Sequence, residues 1–298
     1  MDYAVYIQDL SKFNGLYLKN YAIKVFDNNN LEIRECNKII SKLSNEKIKY
    51  LYYGTEFCEM LLPNTRQVID LVDICHCHNI NPVLVTPTVT DWGIKKIEKI
   101  IEELLARNVV DLTVVVNDFG VLELLKKKKI KCIMGRLFDK ISHDSRGYSD
   151  DFYKYYGEDG MRYAKSPGNL SNCFINCINQ YNINRFEFDM PKIGIDLYNS
   201  NFAYSLYWPY SFISTGRVCL FKSFNQNAEN KFLVNGKCDL KCKTLQLQRR
   251  KPRNGFVIEN NIIYNEEYIY QIGNTSFYIP HIDTENINQF DRLIIQYY

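Results

Sequence analysis

Residues 94–134 read IKKIEKIIEELLARNVVDLTVVVNDFGVLELLKKKKIKCIM: a helix, a strand, a second helix and a second strand in one unbroken run. Ile97, Ile100, Ile101, Leu104 and Leu105 recur at the 3.6-residue spacing of one helix face, which predicts a helix over Ile94–Ala106. Leu112–Val116 is almost wholly apolar and β-branched, the signature of a strand buried on both faces. A helix over Gly120–Lys128 follows, its closing Lys126–Lys129 complementing the helix dipole, and Lys131–Met134 is the next strand. Strands joined through helices pair in parallel, because the crossover returns the chain to the same end of the sheet.

Outward from this run the alternation continues. Strands are predicted at Tyr3–Gln8, Ile48–Tyr53 and Pro82–Pro87, with helices at Leu31–Leu43 and Thr65–Cys77 between them. Further strands at Arg185–Asp189, Phe202–Tyr207 and Arg292–Gln296 bring the number to eight. Eight parallel strands in an α/β chain of 298 residues predict a (β/α)8, TIM-like barrel spanning residues 1–298 as one domain. An open doubly wound sheet is the rival, and no Gly-rich phosphate loop follows any strand to favour it.

Three stretches interrupt the rhythm. Asp9–Asn30 separates the first strand from its helix, and Phe138–Asn172 reads as a loop over one barrel mouth. Residues 219–291 form an insertion before the last strand, with cysteines and a β-rich segment at Phe256–Ile279. The sequence stops at Tyr298, so the barrel is expected to lack its closing helix. The apolar Leu293, Ile294, Ile295, Tyr297 and Tyr298 are then expected to meet a partner chain, unless Asp9–Asn30 folds over them.

Composition narrows the class. With 46% hydrophobic and 24% charged residues the chain is not disordered, and a net charge of +3 excludes a histone-like nucleic-acid binder. No window approaches a membrane span and no basic-then-apolar leader opens the sequence, so a cytoplasmic protein with reduced thiols is expected. Ten cysteines are too few for a disulfide scaffold and must be core residues, metal ligands or catalytic groups.

Cys238 and Cys242 form a C-x3-C pair in a Gly-led segment, with Cys219 upstream after an apolar run. Two thiolates cannot complete an iron–sulfur cluster, which needs four, but with Cys219 and one distant cysteine a tetrad is possible. Cys58, just past a strand's C-terminal end in Leu51-Tyr52-Tyr53-Gly54-Thr55-Glu56-Phe57-Cys58, is the candidate. A four-cysteine zinc site is the rival, although the close C-x2-C pairs of zinc ribbons are missing. Cys36 and Cys132 read as core, as do Cys173 and Cys177, while Cys75-His76-Cys77-His78 diverges around a helix axis. Lys237, Lys241, Lys243, Arg249, Arg250, Lys251 and Arg253 make the tetrad's neighbourhood basic, which would favour an anionic cluster; binding of phosphate or RNA and a plain solvated loop are the alternatives.

These motifs resemble the collagenase-like peptidase family U-32, and above all its short, non-proteolytic, UbiU- and UbiV-like iron–sulfur members. The resemblance includes Val116-Asn117-Asp118-Phe119-Gly120-Val121, Phe202-Ala203-Tyr204-Ser205 and Phe290-Asp291-Arg292-Leu293. It implies a barrel with a [4Fe–4S] cluster on Cys58, Cys219, Cys238 and Cys242. The basic run that follows the first ligand in UbiV-like proteins is replaced here by Glu59-Met60-Leu61-Leu62, and the Cys219–Cys238 gap is wide. The activity implied is oxygen-independent hydroxylation of a small aromatic molecule or an RNA base, in a complex with a second, related barrel subunit. A non-catalytic cluster-binding partner in such a pair is the alternative. Peptidase activity ranks last, because no G-x-S-x-G or H-E-x-x-H signature occurs.

Polar groups at predicted strand ends are candidates for substrate contact: Glu56, Thr88, Asp91, Asn117, Asp118, Arg136, Glu187 and Asp189. Glu56, Asn117 and Asp118 are taken as the catalytic candidates, with an N-cap as the competing role for Asp118.

Overall fold

The structure is a computed structural model, and it describes residues 1–23, 31–109, 111–141, 150–197, 201–233, 238–259, 262–280 and 287–298. Eight strands close a parallel barrel: β1 (Asp2–Ile7), β2 (Tyr50–Gly54), β3 (Asn81–Val85), β4 (Thr113–Val116), β5 (Lys131–Met134), β6 (Arg185–Phe188), β7 (Ala203–Trp208) and β12 (Arg292–Tyr297). Closure is made where β12 pairs with both β7 and β1, Ile294 lying beside Tyr207 on one side and Ala4 on the other. Each strand falls within two or three residues of its predicted place.

Between β7 and β12 the chain forms an antiparallel sheet of β8 (Ser211–Thr215), β9 (Leu247–Glu259), β10 (Ile262–Ile272) and β11 (Thr275–Tyr278), ordered β8-β11-β10-β9. The helices are α1 (Leu31–Lys42), α2 (Thr65–His78), α3 (Asp91–Ala106), α4 (Phe119–Lys128), α5 (Asp150–Lys165), α6 (Asn172–Ile178) and the short α7 (Leu220–Ser223). Local chemistry sets their ends. Asn64 and Gln67 exchange side-chain and backbone hydrogen bonds of 3.0 and 2.9 Å as a capping box for α2, and Asn79 ends it in the left-handed region. Among the described residues, no helix is long and apolar enough to cross a membrane.

Strand alternation divides the core. Val5 and Ile7 face outward into the layer shared with the helices, while Ala4 and Tyr6 join Tyr52, Val83, Val85, Val115, Ile133, Tyr207 and Ile294 inside the barrel. The β6–β7–β12 side of the barrel is polar: Glu187, Ser205, Arg292 and Gln296 are all buried.

Two expectations need correction. Phe138–Asn172 is not simply a loop, for it contains α5, broken at Gly157. The outer face of β12 is not open: Leu293 and Ile295 are buried together with Leu18, Tyr21 and Ile23, and the Tyr21 and Tyr297 rings meet edge-on at 5.5 Å. The segment after β1 supplies the missing cover, so the geometric reason for a partner chain at this face falls away. Leu18→Ala should therefore cost about 2–5 kcal/mol, as a large-to-small change in a packed core does, with a matching fall in the urea midpoint. A cost below 1 kcal/mol would show that residues 16–23 do not seal the barrel.

Candidate functional site

The C-terminal ends of β2 and β5 are brought close by two glycines. At Gly54 φ is +132°, and a Cβ there would sit 2.3 Å from the Val85 carbonyl oxygen, so no other residue can end β2 in this way. At Gly135 a Cβ would lie 2.2 Å from Asn117 Oδ1. The first glycine turns Thr55-Glu56-Phe57-Cys58 across the barrel mouth, and the second lets Arg136 enter from the opposite side.

Arg136 is fully buried at the mouth. Its Nε and Nη2 donate to the two carboxylate oxygens of Glu56 at 2.9 and 2.5 Å, a bidentate pair. Nη1 donates to Asp189 Oδ1 and to the Tyr210 carbonyl, the latter at 3.1 Å. Asp189 Oδ2 in turn accepts from the Phe212 amide at 2.8 Å. The guanidinium carbon stands 4.2 Å from the Tyr207 ring centroid and 5.2 Å from that of Phe57, a cation–π enclosure. Phe212 of β8 and Phe277 of β11 complete it, so the second sheet seals the axis of the barrel. Burial works against the charge on Arg136, but Asp189 and Glu56 outweigh it and hold its pKa well above the ordinary value. Burial raises the Glu56 carboxyl, with Arg136 pulling the other way.

Below this cluster a polar column continues inward. Arg292 Nη1 donates to Tyr52 Oη at 2.7 Å, and Tyr52 Oη donates to Glu187 Oε1 at 2.8 Å. Among the described residues, Glu187 Oε2, Tyr207 Oη and Arg292 Nε are buried with no hydrogen-bond partner. With Glu187 protonated, the two arginines balance Glu56 and Asp189; ionising it adds an unmatched charge. Burial first, and the Glu56 charge after it, push the Glu187 carboxyl from 4.5 up to about 7. A carboxyl that holds its proton more tightly folded than unfolded loses stability for the protein as pH rises from about 4.5 through 7. The loss is on the order of 3 kcal/mol, complete above pH 7. Glu187→Gln should remove that dependence and gain most at pH 8, as urea midpoints at pH 5 and 8 will show. Parallel pH profiles for variant and parent would refute the assignment.

The four cysteines of the expected tetrad lie on three loops at this end. Cys58 precedes the turn Glu59–Leu61, Cys219 precedes α7, and Cys242 lies in the turn Lys241–Lys243, which Leu240 enters with φ 53°. All four are half-buried. Burial raises the Cys58 thiol to about 11, with the charges of Cys219 and Cys238 adding to it. Burial likewise raises Cys242 to about 11, with Cys219, Cys58 and Cys238 adding. Cys242 is thus within electrostatic reach of the other three thiols, and it lines one cavity together with Cys58. Asn274 Nδ2 ties their loops together, donating to the carbonyls of Phe57 and Gly216 at 2.7 Å each. Among the described residues, no group of three or more His, Cys, Asp or Glu is gathered tightly enough to hold a metal ion. A single tetrahedral zinc would require sulfurs about 3.8 Å apart, given bonds of about 2.3 Å. A cubane would need its four thiolates roughly 6–7 Å apart, a wider spacing than a single ion requires.

The other candidates have structural duties. Asp118 caps α4, accepting from the amides of Gly120 and Val121 at 2.7 and 3.3 Å. Asn117 donates to the Thr86 carbonyl at 2.9 Å and accepts from the Leu137 amide at 3.2 Å. Thr88 donates to the Asn117 carbonyl, and Asp91 is exposed in the first turn of α3. Cys36 and Cys132 are buried as expected, but Cys173 and Cys177 are exposed, because the seven-residue α6 buries only Ile178. Lys237 lies outside the described residues. Tyr207 was not legible as a site residue. The signal for Tyr207 is its place two residues after Ser205, on the inward positions of β7. No family model, curated protein or solved structure matches this chain.

Proposed function

We propose that this chain is an iron–sulfur protein of the oxygen-independent hydroxylase type, holding a [4Fe–4S] cluster on Cys58, Cys219, Cys238 and Cys242. The reading is supported by four half-buried thiols on loops at a barrel's C-terminal end, where such barrels place their chemistry, with Cys58 and Cys242 lining one cavity and Cys219 and Cys238 within electrostatic reach of both. The donor set is all thiolate, the set iron–sulfur clusters use. When bound, the cluster would supply electron transfer or an iron site for an oxygen donor. The substrate class, a small aromatic molecule or an RNA base, comes from the resemblance, as does a second, related barrel subunit and a cytoplasmic setting.

A non-catalytic role in such a pair is favoured by a separate observation. The barrel axis is filled by Arg136 and its aromatic enclosure, and Asn117 and Asp118 are engaged in holding loops. The test is anaerobic purification followed by iron and acid-labile sulfide analysis, with about four of each per chain expected. Iron-free protein from an anaerobic preparation would end the cluster reading. Turnover by the isolated, iron-loaded chain separates the catalytic role from the partner role.

A further inference from the structure

We propose that the cavity enclosed by the ends of β1 and β2, the start of α2 and residues 240–246 binds a small organic anion through Lys12, Lys96 and Lys243. Its volume is about 400 Å3, within the range of small-molecule sites. Among the described residues, three lysines line it against one carboxylate, Asp9, so their field is positive. The α2 helix begins on the same wall, at Asn64 and Gln67, and its dipole adds to that field.

Lys96 is the group that asks for a ligand. A surface lysine normally extends its ammonium into water and buries only its stem. Here the side chain is half-buried, and its ammonium donates to the Leu62 carbonyl at 2.6 Å and stands 5.3 Å from the Trp92 ring centroid. No carboxylate pairs with it among the described residues, and Glu59, three residues before Leu62, is committed to the backbone amide and hydroxyl of Thr90 at 2.8 and 2.9 Å. Burial lowers its pKa, the mark of an ammonium deprived of water without a countercharge. An anion in the cavity would supply that countercharge.

The remaining walls define the rest of the ligand. Tyr53, Leu62 and Tyr298 present apolar or ring surface, suited to an organic body rather than a bare ion. Among the described residues no arginine lines the cavity, and so none of them offers a planar fork to select a carboxylate. Lysine ammoniums are point charges that accept a carboxylate or a phosphate ester equally, and the shared chemistry is an anionic oxygen group on an apolar frame.

Titration calorimetry on the purified full chain at constant ionic strength, with benzoate in one arm and phenyl phosphate in the other, tests this. Saturable binding of at least one probe is expected, weakened about tenfold or more in Lys96→Met and severalfold in Lys243→Ala. The stronger arm identifies the anionic group. Lys243 is exposed, so its variant keeps the test decisive should Lys96→Met fold poorly. No saturable binding by the parent, or unchanged affinity in the folded variants, would overturn the proposal. Cys242 shares a wall of this cavity, which would set the anion beside the proposed cluster, but the binding measurement does not require iron. Iron content determined on the same sample lets either reading fail without the other.

Discussion

Arg136→Met is expected to cost about 3–5 kcal/mol of folding stability, among the largest effects of any single substitution in this chain. The reason is not the loss of the ion pairs as such. Glu56 and Asp189 are both fully buried, and without the guanidinium two carboxylates would share one water-free pocket closed by Phe57, Phe212 and Phe277. They must then either stay charged without the guanidinium's countercharge or take up protons, and each course is costly. The stability of the variant should consequently rise as pH falls and the carboxyls protonate. A triple variant, Arg136→Met with Glu56→Gln and Asp189→Asn, should recover much of the loss, since both carboxylates left without a countercharge are gone and Arg292 still has Glu187 beside it. Urea denaturation of the parent, the single and the triple variant decides the matter. A single variant within 1 kcal/mol of the parent would mean that water reaches Arg136.

The fold was legible because each barrel strand carries its own local period. The β4 run Thr113–Val116 and the Ile97–Leu104 face of α3 announce themselves within a dozen residues, and the structure keeps them almost unchanged. What stayed hidden depends on contacts that have no local period. Leu18, Tyr21 and Ile23 cover β12, yet two of them lie in a 3-10 turn too short to show an amphipathic pattern. The charged residues of α5 obscured its helical spacing.

The site divides in the same way. Glu56, Arg136 and Asp189 could each be picked out as strand-end polar residues, because in a parallel barrel that position is local knowledge. That Arg136 binds the other two, instead of facing solvent with them, depends on pairings across 80 and 53 residues. The inner column is less legible still: Tyr52 and Arg292 are 240 residues apart and meet only because β12 closes onto β1. Strand alternation says that a residue points inward; it does not say that the inside is polar.

Replacing any one of Cys58, Cys219, Cys238 or Cys242 by alanine is expected to reduce bound iron more than fivefold in anaerobically purified protein, because a cubane held by three thiolates has lost one of its four anchors. The controls come from the same chain and differ in kind. Cys132 in β5 is buried in the apolar core between strands and helices and its thiol donates to the Ile130 carbonyl at 3.4 Å, so Cys132→Ala should leave iron content unchanged. Cys173 and Cys177 are exposed and sit one helical turn apart, which makes them the thiols best able to collect iron adventitiously. Substituting that pair should also leave iron and sulfide unchanged. The outcomes separate three situations by stoichiometry. Loss confined to the four sites supports the cluster, equal loss in Cys132→Ala signals general destabilisation, and loss on removing Cys173 and Cys177 would move the iron to the surface of α6 and sink the assignment.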